Sequence, residues 1–169
     1  MLTFASLIEK KLSFSRALVY GGLTVGLLDI LDAFIFFGIR GVSCVRILHG
    51  IASGLLGRAA FDGGYATALL GLLLHFSIAF SIVTAYLFAS RRFPAFTRRP
   101  FIYGPLYGWL VYVVMNFVVI PLSAIGGSGG PKRLSVVING LLIHAIGVGL
   151  TSVLFARAAQ PDTTQDQNS

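Results

Sequence analysis

A lone cysteine, Cys44, cannot form an intrachain disulfide or a Cys-x-x-Cys pair, so the chain has neither a disulfide scaffold nor a thiolate-pair redox or zinc site. The residue reads as a small packing group. Charge is also scarce: charged residues make up 11% of the sequence, whereas a soluble domain carries about 25%. Water is a poor solvent for such a surface. Carboxylates are the scarcer sign, 6 against 13 basic residues, for a net charge of +7. That excess invites a nucleic-acid reading, but most basic residues flank apolar stretches and no finger, recognition helix or single-strand-binding signature is present. Nucleic acid is therefore not expected as a partner. His-Glu-x-x-His and Gly-x-Ser-x-Gly are both missing, and Ser53 and Ser77 have no evident base. No catalytic residue is assigned, enzymatic activity is not expected, and no cofactor is predicted.

Hydrophobic residues supply 56% of the chain, concentrated in four runs at 17–39, 66–89, 102–124 and 135–156. Each meets the roughly 20 apolar residues that a helix needs to cross about 30 Å of hydrocarbon. Strict alternation is absent, which argues against membrane strands of about ten residues. The expected fold is thus an all-α integral membrane protein with four transmembrane helices, residues 1–159 forming the domain and 160–169 a disordered polar tail. The first run is too long for a signal-peptide core of about 7–15 residues, and it holds two carboxylates. Between the first two runs lies 45–58, too short to span. Its polar or small positions Arg46, His49, Gly50, Ser53 and Gly57 recur at spacings of three and four, which predicts an interfacial or re-entrant helix. His49 reads as an interfacial histidine. Phe61-Asp62-Gly63-Gly64 is expected to turn the chain, and Gly126-Gly127-Ser128-Gly129-Gly130-Pro131 is flexible punctuation without the Gly-Lys-Ser/Thr ending of a phosphate loop.

Flanking charge sets the expected orientation. With the N-terminus inside, Lys10, Lys11, Arg16, Arg91, Arg92, Arg98, Arg99 and Arg157 are cytoplasmic, against Arg40, Arg46, Arg58, Lys132 and Arg133 outside. Both termini are then expected in the cytoplasm. Gly22 with Gly26 and Gly104 with Gly108 form small-xxx-small pairs that let helices approach closely, although the spacing does not separate a contact within one chain from a homo-oligomer contact. Gly26, Asp29 and Ala33 share a face, so Asp29 is expected to point into protein.

Each run also carries a polar residue near its middle. At a rise of about 1.5 Å per residue, Asp29, His75, Asn116 and His144 fall within roughly 5 Å of one depth, with Asp32 a turn beyond Asp29. A carboxylate there costs about 3 kcal/mol on insertion scales and must be paired, hydrated or protonated. A histidine can accept, donate or take up the proton. Two readings follow: a hydrogen-bonded core that fixes helix register in a structural or accessory protein, or a site in a small proton-coupled transporter or channel component. Haem or metal ligation by His75, His144 and Asp29 is a further alternative.

Gly26-Leu27-Leu28-Asp29, Arg46-Ile47-Leu48, Ala52-Ser53-Gly54-Leu55-Leu56-Gly57, Leu106-Tyr107-Gly108 and Met115-Asn116 together resemble uncharacterised small integral membrane proteins of bacteria, over residues 20–125. The resemblance implies a bacterial inner-membrane address and lipid as the surrounding partner. It implies no activity.

Overall fold

The computed structural model describes residues 12–126 and 133–160. Most of the glycine-rich turn and almost all of the polar tail named above lie outside the described residues. Helix α1 covers Phe14–Gly38, α2 Cys44–Leu56, α3 Gly64–Arg92, α4 Ala95–Arg98, α5 Pro100–Leu122 and α6 Leu134–Ala158. Four of them, α1, α3, α5 and α6, are long and apolar enough to cross a membrane. No strand occurs among the described residues.

Helix starts and stops follow local chemistry. Ser13 and Ser43 accept hydrogen bonds from the backbone N–H groups of Arg16 and Arg46, satisfying donors that the first turns of α1 and α2 leave free. Pro100 opens α5, where its missing N–H is harmless. Gly57 ends α2 at φ +59°, a conformation that side chains resist, and the chain leaves through a tight turn over Gly57–Phe61.

The bundle is built inside out relative to a soluble protein. The buried positions of α1 include Ala17, Gly21, Gly22 and Gly26, while Leu23, Leu27, Leu31 and Ile35 are exposed. Large apolar groups facing outward suit a hydrocarbon solvent, which gives no hydrophobic drive to bury them, and small groups facing inward let the helices meet. Helix α1 packs on α3 and α6, and α5 packs on α6; α3 and α5 make little direct contact along most of their length.

The two glycine pairs are used within the chain, and in different ways. A Cβ at Gly22 or Gly26 would meet the rings of Phe80 or Phe76 on α3. A Cβ at Gly104 or Gly108 would instead meet backbone of α6, at Leu150 and at His144 O respectively. A third crossing was not read from the sequence: Gly71 of α3 lies against Leu48 O of α2.

Through that crossing α2 folds against the bundle, burying His49, Ala52 and Ser53. His49 is therefore packed into the protein rather than exposed on its surface. It is 7% exposed and donates from Nε2 to Gly64 O at 2.7 Å, tying α2 to the start of α3 because a buried imidazole needs a partner. At its other edge Gly54 O accepts from Ala124 N at 2.8 Å, just beyond α5. Helix α2 thus bridges α3 and α5 at one end of the bundle. In the opposite, arginine-rich half Tyr107 Oη donates to Ile82 O at 2.7 Å and the Tyr86 and Tyr107 rings lie 4.7 Å apart, joining the same two helices. The apolar core of Val25, Ala79, Val83, Leu87, Val111 and Val153 fills the arginine-rich half. The other half is hollow.

Candidate functional site

Two adjoining cavities occupy the hollow half. The larger, about 310 Å³, lies among α1, α2, α3, α5 and α6, and its polar lining is Asp29, His75, Asn116 and His144. The smaller, about 210 Å³, lies among α1, α5 and α6 and adds Asp32, Asn139 and Tyr112. Asp29, Asn116 and His144 line both. One chain thus brings the five polar residues of the sequence analysis to a single connected space.

The hydrogen bonds divide these groups sharply. His75 is buried and donates Nε2–H to Gly26 O at 2.8 Å. A carbonyl can only accept, so the proton of the neutral ring is on Nε2 and Nδ1 carries a lone pair. Asp29 Oδ2 stands 4.0 Å from that Nδ1, near enough for charge interaction and too far for a hydrogen bond. One proton placed between them would be held by the carboxylate or by the imidazole. His144 donates Nδ1–H to Gly140 O at 2.9 Å, which leaves its Nε2 as the acceptor. Asn116 spends one amide N–H on Tyr112 O at 2.9 Å, leaving its second N–H as donor and Oδ1 as acceptor. The ring N–H donors are committed to helix backbone, and the unspent groups are mostly lone pairs.

Asp32 is placed differently from the rest. Its Oδ2 accepts from Asn139 Nδ2 at 2.6 Å, clamping α1 to α6. Asn139 escaped the sequence reading, though depth alone signals it: Asp32 lies three residues past Asp29, Asn139 lies five before His144, and antiparallel helices bring the two to a similar level. Tyr112 was missed because a tyrosine in a membrane helix looks like packing. It is 7% exposed, its ring stands edge-on to His144 at 5.4 Å, and its hydroxyl is the one buried side-chain polar atom without a hydrogen-bond partner among the described residues. An orphaned buried hydroxyl costs about 1–3 kcal/mol, which a bound polar molecule would recover.

Asn116 and His144 share a further property. Each sits in a π-helical stretch, Met115–Val119 in α5 and His144–Leu150 in α6. Such widened turns are rare and occur often at functional sites. Pro121 contributes to the first by removing the N–H that would bond back to residue 117. Gly147 and Gly149 thin the second, and a Cβ at Gly149 would strike Gly104 O.

No group of three or more His, Cys, Asp or Glu side chains capable of holding a metal occurs among the described residues. For axial haem ligation by two Nε2 atoms, His75 would have to give up its bond to Gly26 O.

The Asp32–Asn139 clamp has a measurable value. A double-mutant cycle with Asp32→Leu and Asn139→Leu, read by denaturation in detergent, should return a coupling of about 0.6–1.7 kcal/mol, as for other interhelical hydrogen bonds in membranes. A coupling near zero would show that the pair adds nothing to register.

Compared with known protein families, characterised proteins and solved structures, the chain has no match. Its class rests on geometry: a helical protein of membrane type, with four helices apolar enough to span a bilayer.

Proposed function

We propose that this is a multi-pass inner-membrane protein that binds a small hydrogen-bond-donating cation, most simply a protonated amine, in its midplane cavity, and that the Asp29–His75 pair exchanges a proton as the cation binds or leaves. This is the chemistry of a small proton-coupled carrier or channel component. The reading is carried by one observation: the ring N–H donors of His75 and His144 are spent on backbone carbonyls, so a carboxylate and two imidazole lone pairs are offered to one cavity. An anion would meet acceptors; a cation would meet partners. At about 310 Å³ the space suits a small molecule.

The test is saturation-transfer NMR of butylammonium with the purified protein in nanodiscs, with butyrate as the control. Transfer to butylammonium alone is the expected result. Equal transfer to both, or to neither, would remove the cation site. In liposomes, butylammonium uptake should be accompanied by counterflow of protons.

A structural or accessory role is the second reading, favoured by the Asp32–Asn139 clamp, which ties two helices without facing a reaction. It accounts for Asp32. It gives no reason for the unspent acceptors beside Asn116 and His144.

The orientation belongs to the same proposal, with the Arg91–Arg99 end in the cytoplasm and α2 at the outer side, lying in the interface or entering it from outside. In a Cys44→Ser background, Ala95→Cys should be protected from an impermeant thiol reagent in intact cells and Ala59→Cys should react. Reversed labelling inverts the topology.

A further inference from the structure

A third cavity, about 390 Å³ and almost wholly apolar, lies in the crevice where α3 and α5 stand apart, lined by Ser81, Ala85, Leu110, Val114 and Val119 among others. Leu110, Val114 and Val119 are among the large apolar residues on the outer surface, so the crevice opens to the side of the bundle, where lipid lies. Its inner wall consists of Ile78, Ile82 and Met115, and those three residues also line the polar midplane cavity. The partition is one side chain thick. The helices on either side of the crevice are tied by the Tyr107–Ile82 hydrogen bond and, beyond Val119, by α2 through the Ala124–Gly54 hydrogen bond.

From this continuity we infer that the crevice between α3 and α5 is a lateral portal, and that the molecule bound is an amphiphile dissolved in the bilayer: its cationic amine head reaches Asp29 and His144, and its single apolar chain lies along Ala85, Leu110 and Val114. The inference rests on the cation reading given above and adds the substrate class and its route. Charge complementarity selects the head, because the polar groups beyond the partition include a carboxylate and two imidazole lone pairs and no cationic side chain. Apolar lining selects the tail, since Ser81 is the one hydroxyl besides Tyr107 among the residues around the crevice, and its Oγ is already spent on Ser77 O at 2.8 Å. Met115, unbranched and adaptable, is the natural moving part of the partition, and it begins the π-helical stretch of α5. Tyr112, which lines the adjoining smaller cavity with its hydroxyl unpartnered and its ring against His144, offers a third acceptor for the head.

The experiment uses dodecylamine carrying a diazirine in mid-chain, photolysed with the full-length protein in nanodiscs, with cross-links mapped by peptide mass spectrometry. Expected are cross-links concentrated on α3 and α5 around Ala85, Leu110 and Val114, competed by plain dodecylamine and not by dodecanoate, and reduced at least tenfold in Asp29→Asn. Filling the crevice by Ala85→Trp or, independently, Val114→Trp should abolish long-chain cross-linking while butylammonium still binds. Thermal unfolding of both variants checks that the bundle is intact. Cross-links spread evenly over lipid-facing positions such as Leu27 and Leu142, unchanged by either tryptophan, would overturn the portal while leaving the small-cation site standing. Failure of butylammonium and dodecylamine alike would overturn both.

Discussion

Gly108→Ala is expected to cost about 3 kcal/mol or more, at the upper end of overpacking penalties, and to lower the thermal midpoint in detergent far more than Gly26→Ala. The added methyl at position 108 would lie on His144 O and near Ala145 Cα, so two helix backbones must separate to admit it. Neither backbone can yield locally, because the carbonyl belongs to the helix ladder. At position 26 the same methyl would meet the edge of the Phe76 ring at 2.6 Å, with the Cβ of Ala79 at an ordinary 3.4 Å. A ring can swing; a backbone cannot. Parallel melts of the two variants in one detergent measure the difference. If Gly26→Ala were as damaging as Gly108→Ala, the α5–α6 crossing would not be the tighter of the two. Displacing α6 should also carry His144 away from Asp29 and Asn116, so any residual folded Gly108→Ala should bind butylammonium weakly.

Asp29→Asn separates the two functional readings because they predict opposite signs for stability. If Asp29 is a structural partner of His75, the variant should unfold more easily, since a buried group loses its charge interaction. If Asp29 is kept for binding, the protein carries a carboxylate at a cost of about 3 kcal/mol on insertion scales, and the nearly isosteric amide relieves part of it. We expect the second result: stability unchanged or raised, with butylammonium affinity reduced about 10- to 100-fold, the value of one charge-assisted hydrogen bond of about 1.5–3 kcal/mol. The 4.0 Å separation from His75 supports that sign, being too long for a bond whose loss would matter to the fold. Lower stability with unchanged affinity would assign Asp29 to packing. His75→Gln is the companion variant. An amide at that position can still donate to Gly26 O, so its expected defect is in proton counterflow, with little change in cation affinity.

Part of this protein is legible in its sequence because it depends on local chemistry. The spanning helices follow from run length, since a hydrocarbon solvent demands a set number of apolar residues and internally paired backbone. The short helix follows from its three-and-four spacing, whereas its cap at Ser43 and its stop at Gly57, inside the expected 45–58, came from the structure. The shared depth of Asp29, His75, Asn116 and His144 follows from counting residues along helices of fixed rise. Asn139 lay within reach of the same count.

What the chain determined only by folding is which neighbours these residues met. Two glycine pairs of identical spacing face different materials, aromatic rings at Gly22 and Gly26 and bare backbone at Gly104 and Gly108, because spacing fixes a face of one helix and says nothing of what another helix lays against it. Asp32 and Asp29, three residues apart, both line the cavities, yet only Asp32 meets an amide partner, Asn139, for the same reason. The donor or acceptor state of each histidine was likewise unreadable, since it depends on which carbonyl lies beside which ring nitrogen. The crevice between α3 and α5 is a property of helices that make little contact along most of their length, and contact between distant segments is decided by rotation and crossing angle, which only the packed bundle fixes.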